Sequence, residues 1–130
     1  MFDWKKPTVQ MLGRWQPWHD GHTELFKRAL QKTKQVCIMY RDVEGVDAGV
    51  EGQADNPFGF EEVKKNIIVE LSKHNFEEGR DYVVIKVPNI INISYGRGVG
   101  YSFTEHDLGK EIHAISATNI RKELRLKKEL

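Results

Sequence analysis

Thr8-Val9-Gln10-Met11-Leu12-Gly13-Arg14-Trp15-Gln16-Pro17-Trp18-His19-Asp20-Gly21-His22 begins as a short apolar run, breaks at a glycine and leads into a segment of helical periodicity. The run Thr8 to Leu12 reads as a buried strand. From Thr23 to Lys34, Leu25, Phe26, Ala29 and Leu30 fall on one side at helical spacing, with Lys27, Arg28, Gln31 and Lys32 opposite. Val36-Cys37-Ile38-Met39-Tyr40 is a second apolar run, stopped by Arg41-Asp42. Strand, loop, helix and strand within about 35 residues is the size of a βαβ unit. In such a unit the loop leaving the first strand opens a helix at the carboxyl edge of the sheet, where open parallel sheets bind ligands.

Working outward, Val43 to Phe58 holds Gly45, Gly49, Gly52 and Pro57 and reads as a surface loop of unusual length, a type that tends to be functional. Phe60, Val63, Ile67, Ile68 and Leu71 trace a second amphipathic helix, and Tyr82 to Val87 a third strand halted at Pro88. Asn89 to Lys110 carries no clear period. A strand over Glu111 to Ile115 and a helix over Ala117 to Lys128, with Ile120 and Leu124 inward, complete the chain. The alternation predicts a three-layer α/β domain with a mainly parallel sheet.

At 130 residues the whole chain, 1–130, is expected to form one domain. Apolar residues at 39%, charged residues at 30% and a net charge of +1 exclude disorder and a strong nucleic-acid field, so no nucleic-acid partner is expected. The basic tail Arg121 to Lys128 reads as a solvated helix face. A lone cysteine, Cys37, excludes disulfide scaffolding within the chain and behaves as a small hydrophobe. The N-terminus lacks an apolar signal region, and no stretch approaches the roughly 20 apolar residues that cross a bilayer. A soluble, cytoplasmic protein with no membrane partner is the expectation.

Two segments carry chemistry. In the first, Gly13 lets the backbone turn and approach a ligand, Pro17 stiffens the loop, and Gly21 permits close packing where the helix begins. The free amides of a helix start and the positive end of its dipole favour an anion. His19 and His22, three apart, can project from one side toward the same phosphate. In the second, Ser116 and Thr118 offer hydroxyls and backbone amides at the start of the last helix, and Arg121 adds a guanidinium one turn later. Ordinary N-capping explains either hydroxyl alone; the same order of features at two helix starts reads as a polyphosphate clamp. Arg14 and Arg41, next to strand ends, are candidates for neutralising phosphate charge. Trp15 and Trp18 either wall a pocket or pack beneath the loop. Lys5, Lys6, His74 and His113 read as surface or structural residues. Zinc-ligand spacing, a Gly-x-x-x-x-Gly-Lys-Ser/Thr loop and a serine-nucleophile elbow are all missing from the sequence.

Gly13 to His22 closely resembles the Gly-Arg-Phe-Gln-Pro-Phe-His-x-Gly-His signature of the nucleotidylyltransferase superfamily, which includes nicotinamide-nucleotide adenylyltransferases and glycerol-3-phosphate cytidylyltransferases. Ile115-Ser116-Ala117-Thr118-Asn119-Ile120-Arg121 resembles its second signature, Ile-Ser-Ser/Thr-Thr-x-x-Arg. The resemblance implies a Rossmann-like α/β/α sandwich. It further implies transfer of a nucleoside monophosphate from CTP or ATP to a small, phosphorylated acceptor, with release of pyrophosphate. His19, His22 and Arg121 would then be catalytic, and Gly13, Arg14, Gly21, Arg41, Ser116 and Thr118 would bind nucleotide and phosphate. Mg²⁺ would enter mainly through the triphosphate, and a homodimer fits the habit of small relatives.

The chain departs from the superfamily at several positions. Ala117 replaces a hydroxyl residue, and Glu111-Ile112-His113-Ala114 stands where cytidylyltransferases carry Arg-Thr-Glu-Gly. The arginine usual in the helix after the long loop is replaced, by Val63 or the neighbouring Lys64. Asn56-Pro57-Phe58 and the segment Asp81 to Pro88 look more like the adenylyltransferase side. A non-catalytic nucleotide-binding module of the same fold is the competing expectation, suggested by Ala117 and these altered positions. Aminoacylation of tRNA, suggested by the related His-Ile-Gly-His signature, fails because the chain has no room for an anticodon-reading domain.

Overall fold

The computed structural model describes residues 1–43, 57–97 and 102–106. Five elements follow in the order β1 (Val9–Gly13), α1 (Asp20–Thr33), β2 (Val36–Arg41), α2 (Phe60–Ser72) and β3 (Tyr82–Val87). The strands form one parallel sheet in the order β1-β2-β3, with Met11 opposite Ile38 and Ile38 opposite Val84. The protein has the small α/β Rossmann-like fold that the alternation predicts.

Parallel strands in register point the same residues to the same side. Val9 and Met11, Val36, Ile38 and Tyr40, and Tyr82 and Val84 therefore share one face. Phe26 and Ala29 of α1 and Val63, Ile67 and Leu71 of α2 join that face in a single buried cluster. Both helices thus cover the same side, as two crossovers of one hand require when each successive strand is added on the same edge. The reverse face carries Cys37, buried, and Leu12, Met39, Val83, Ile85 and Val87, half-buried. Burial pushes the Cys37 thiol up, away from the thiolate form. The helix expected over 117–128, which would supply the third layer, and the strand expected over 111–115 lie outside the described residues.

The helices stop for local reasons. The C-cap of α1, Lys34, sits in the left-handed region at φ 69°, and its N–H donates to the Leu30 carbonyl at 2.8 Å. After α2, Asn75 takes φ 65°, and the Phe76 N–H returns to the Leu71 carbonyl at 3.1 Å. Glu61 and Glu62 in the first turn of α2 oppose the positive end of its dipole. Lys5, Lys6 and His74 are exposed, as expected, while His113 lies outside the described residues.

Phe26 is the keystone of the buried face: it is fully buried and meets the rings of Phe76 and Tyr82 edge-on, at centroid distances of 5.1 and 5.6 Å. Truncating such a ring removes its burial and leaves a cavity. Phe26→Ala should lower the unfolding free energy by about 3–5 kcal/mol in urea titrations; a loss under about 1 kcal/mol would show that the α1–sheet packing described here is not what stabilises the protein.

Candidate functional site at the carboxyl edge of the sheet

Because the strands are parallel, the C-terminal ends of β1 and β2 and the N-terminal ends of α1 and α2 lie on one edge of the sheet. Gly13, Arg14, His19, Gly21, His22 and Arg41 all belong to this edge, as the sequence predicts. Ser116, Thr118 and Arg121 lie outside the described residues.

The helix start is earlier than the periodicity predicts, at Asp20 rather than Thr23, which puts Gly21 and His22 in its first turn and makes His19 the N-cap. Histidine is an uncommon N-cap, and here two of them act reciprocally. The Gly21 N–H donates to His19 Nδ1 at 3.0 Å, and the His19 N–H donates to His22 Nδ1 at 3.1 Å. This is the capping-box geometry built with imidazoles in place of a hydroxyl and a carboxylate. The rings stack at 3.7 Å between centroids, 17° apart in plane. Each Nδ1 accepts a hydrogen bond from a backbone N–H, so each neutral ring carries its own hydrogen on Nε2. Two Nε2–H donors on one side of a helix start can meet an oxyanion.

Burial holds both imidazoles neutral. Desolvation lowers the His19 pKa against the pull of the Asp20 carboxylate. It lowers that of His22 to about 3, with the neighbouring His19 adding to the shift. Trp15 and Trp18 supply that burial: their rings lie 4.9 and 5.4 Å from the His22 ring.

The turn that delivers this helix start differs from expectation. Gly13 does not provide the unusual backbone; Trp15 does, at φ 53°. A left-handed backbone at a bulky residue is strained, and the indole is held in place by burial and by donation from Nε1 to the Met39 carbonyl at 3.1 Å. Gly13 is needed for room, since a Cβ there would lie 2.8 Å from the Trp15 ring. Trp18 donates from its Nε1 to Thr23 Oγ1 at 2.8 Å.

Gln16, which sequence reasoning did not single out, is fully buried and pairs with both main-chain groups of one residue, Phe58. Its Nε2 donates to the Phe58 carbonyl at 2.8 Å, and the Phe58 N–H donates to its Oε1 at 2.9 Å. Tyr40 Oη adds a contact to the same carbonyl at 3.3 Å. The first loop is thereby fastened to the end of the 43–58 segment, whose other end, Val43, is also buried. Residues 44–56 lie outside the described residues. The signature that Gly13 to His22 resembles holds a glutamine at this position, but its task cannot be read locally, because its partner is a main-chain residue 42 positions away.

A cavity of about 350 Å³ opens between the loop after β1 and the start of α2. Trp15, Pro17, Trp18 and Phe58 line one part, and Glu62, Val63 and Asn66 of α2 the other. The two tryptophans therefore do both things weighed from the sequence: they pack under the loop and wall a pocket. Arg14 directly follows β1 and is half-buried. Arg41 is the last residue of β2, not beyond it; its Nη1 donates to the Ile90 carbonyl at 3.5 Å, and its buried Nε has no partner among the described residues. Among the described residues no three His, Cys, Asp or Glu side chains converge as a metal site, and no helix is long and apolar enough to cross a membrane.

The fold and this edge define a parallel α/β domain with a two-histidine helix start. No family model matches the chain. It is similar to a nicotinamide-nucleotide adenylyltransferase of Methanococcus aeolicus, 32% identical over 81 residues, which is 62% of this chain and 41% of that protein. The chain thus spans about two-fifths of that relative's length, and the partial match supports the nucleotidyltransferase superfamily.

Two outcomes follow from the geometry. In Gly13→Ala the new methyl group meets a ring that its own hydrogen bond holds in place, so stability should fall by about 1–3 kcal/mol; a neutral result in urea denaturation would show that the indole can move. The second concerns pH. Folded His22 stays neutral to about 3, whereas the unfolded chain takes up that proton near the ordinary value of 6.5. Its contribution is fully present above 6.5 and is lost as pH falls toward 3, by at most about 1.4 kcal/mol per pH unit. The urea midpoint should drop between pH 7 and 5, and less so in His22→Gln; identical profiles for the two proteins would refute the buried neutral imidazole.

Proposed function

We propose that this protein is a nucleotidyltransferase that moves a nucleoside monophosphate from ATP or CTP to a small phosphorylated acceptor and releases pyrophosphate. The observation that carries the reading is the stacked imidazole pair with both Nδ1 atoms committed to the backbone of α1. The similarity to an adenylyltransferase supports it and favours ATP as donor.

In this reading an acceptor oxygen attacks the α-phosphorus in line, the bond to the pyrophosphate oxygen breaks, and no covalent enzyme intermediate forms. Charge gathers on the phosphoryl oxygens during the displacement, where preorganised donors contribute most. His19 and His22 each direct an Nε2–H toward those oxygens, and the amides at the start of α1 add their dipole. Neutral imidazoles suit this role because their donors stay in one tautomer through the whole cycle. Arg14 and Arg41 lend positive charge at the same sheet edge, and the Arg41 Nε, without a partner among the described residues, is a donor suited to an anionic oxygen. Ser116, Thr118 and Arg121 would hold the β- and γ-phosphates. Magnesium enters as part of the triphosphate substrate.

Purified protein with Mg·ATP or Mg·CTP and a panel of phosphorylated acceptors should release pyrophosphate. His22→Asn keeps an acceptor for the His19 N–H and discards the Nε2–H; kcat should fall about a hundredfold or more with the circular dichroism spectrum unchanged. Full turnover in that variant would remove His22 from the chemistry, and triphosphate binding without any turnover of the unaltered protein would favour the non-catalytic module.

A further inference from the structure

We infer that the edge of the sheet opposite the candidate site carries a separate contact surface, built on the turn from Asp3 to Lys6, and that its partner is an anionic lipid surface. The inference goes beyond the transferase reading and does not rest on it.

The turn is held by many bonds for a segment outside the helices and strands. Asp3 opens it: the Lys6 N–H donates to the Asp3 carbonyl at 3.2 Å, and the Lys5 N–H donates to the Asp3 carboxylate at 2.9 Å, the local bond that favours aspartate at the start of a turn. Gln35, buried just before β2, clamps the same residues. Its Oε1 accepts from the Asp3 N–H at 3.0 Å, and its Nε2 reaches the Asp3 carbonyl at 2.7 Å, the Lys6 carbonyl at 3.3 Å and Thr8 Oγ1 at 2.7 Å. The Phe2 N–H is tied to the Gly79 carbonyl at 2.8 Å, next to β3. A turn fixed in this way sets where its two central residues stand, and these are Trp4 and Lys5. Trp4 is 73% exposed, with the Phe2 ring edge-on to it at 6.0 Å between centroids. Buried polar bonds thus hold the largest apolar side chain of the segment out in water, a placement that folding alone does not reward.

Charge then selects the partner. Lys5, Lys6 and Lys34, the residue before Gln35, are exposed, and none has an ion-pair partner among the described residues. The carboxylates of this edge are engaged elsewhere: Glu77 and Asp81 with Arg80 at 3.5 and 2.9 Å, Glu78 with Lys64 at 3.7 Å, and Asp3 with its own turn. The surplus is positive and calls for an anionic partner. Shape narrows the choice. Trp4 sits at the tip of a turn, a convex feature, and a bilayer interface takes an indole at headgroup depth without a matching pocket while flanking lysines meet the anionic headgroups. Such a contact needs no spanning helix, and none occurs among the described residues; it replaces the expectation of no membrane partner. The parallel strands begin at this edge and end at the one that carries His19 and His22, so a protein resting on Trp4 keeps the candidate site open to solvent.

Co-sedimentation of the full chain with vesicles of phosphatidylcholine, alone or mixed with phosphatidylglycerol, tests the assignment. The mixed vesicles should bind the protein, the neutral ones should not, and added salt should weaken the binding. Lipids brominated in the acyl chains should quench the part of the fluorescence that Trp4→Phe removes, since Trp15 and Trp18 are buried. Trp4→Ala should weaken binding about tenfold, and the double change Lys5→Gln with Lys6→Gln about thirtyfold; all these side chains are exposed, so circular dichroism should be unaltered. No binding to the mixed vesicles, equal binding to both kinds, or binding that survives both sets of changes would overturn the inference. Capture by soluble polyglutamate with the same dependence on Trp4 and the lysines, and none by vesicles, would overturn it in favour of an acidic protein partner.

Discussion

Two imidazole Nδ1 atoms accept backbone protons at the start of α1, and the arrangement of the sheet edge follows from keeping them able to do so. An imidazole that accepts at Nδ1 cannot be protonated there without turning an attraction into a clash of two N–H groups. The rings must therefore be kept neutral, and they are kept neutral by burial against two indoles. Those indoles in turn need a backbone turn that brings Trp15 back over β1, a glycine at 13 to make room for it, and a hydrogen bond from its Nε1 to the neighbouring strand. One constraint, a neutral acceptor at a helix cap, thus accounts for five residues, Gly13, Trp15, Trp18, His19 and His22, whose spacing alone looks like a ligand signature.

The same loop is tied to the rest of the protein by a side-chain amide that imitates a peptide. Gln16 meets Phe58 as one strand meets another, donating to its carbonyl and accepting from its N–H. Gln35 does comparable work at the opposite end of the sheet: its Oε1 accepts from the Asp3 N–H at 3.0 Å and its Nε2 donates to the Asp3 carbonyl at 2.7 Å. Each such bond contributes on the order of 1 kcal/mol, and breaking one side leaves a buried polar group unsatisfied at greater cost. Both glutamines hold residues outside the helices and strands, and holding Phe58 fixes one wall of the cavity.

Much of this was legible in the sequence, and the boundary is physical. β2, α2 and β3 were readable nearly to the residue because apolar period and turn residues are local signals, and all three elements bury a face against one sheet. The start of α1 was misplaced by three residues, since Asp20-Gly21-His22 has poor helix propensity and is held helical by the reciprocal caps. Gly13 and His22 stand out in the sequence, yet the room that Gly13 gives is room for a ring two residues on, which spacing does not reveal. Glu62 and Asn66 carry no signal and Gln16 carries one only through the signature, because each acquires its meaning from a partner or a void that the fold creates.

The sign of charge separates the two halves of this edge. The helix start offers donors: amides, two Nε2–H groups and, alongside, arginines. The cavity a ring's width away offers carbon and a carboxylate. Opposite preferences so close together cannot both serve one anionic polyphosphate, since a carboxylate within about a Debye length of a triphosphate repels it, and more strongly where water is excluded. In the proposed transferase reading the phosphates therefore lie at the imidazoles, and the cavity wall, where Val63 is buried and Lys64 is turned to Glu78, stays clear of them.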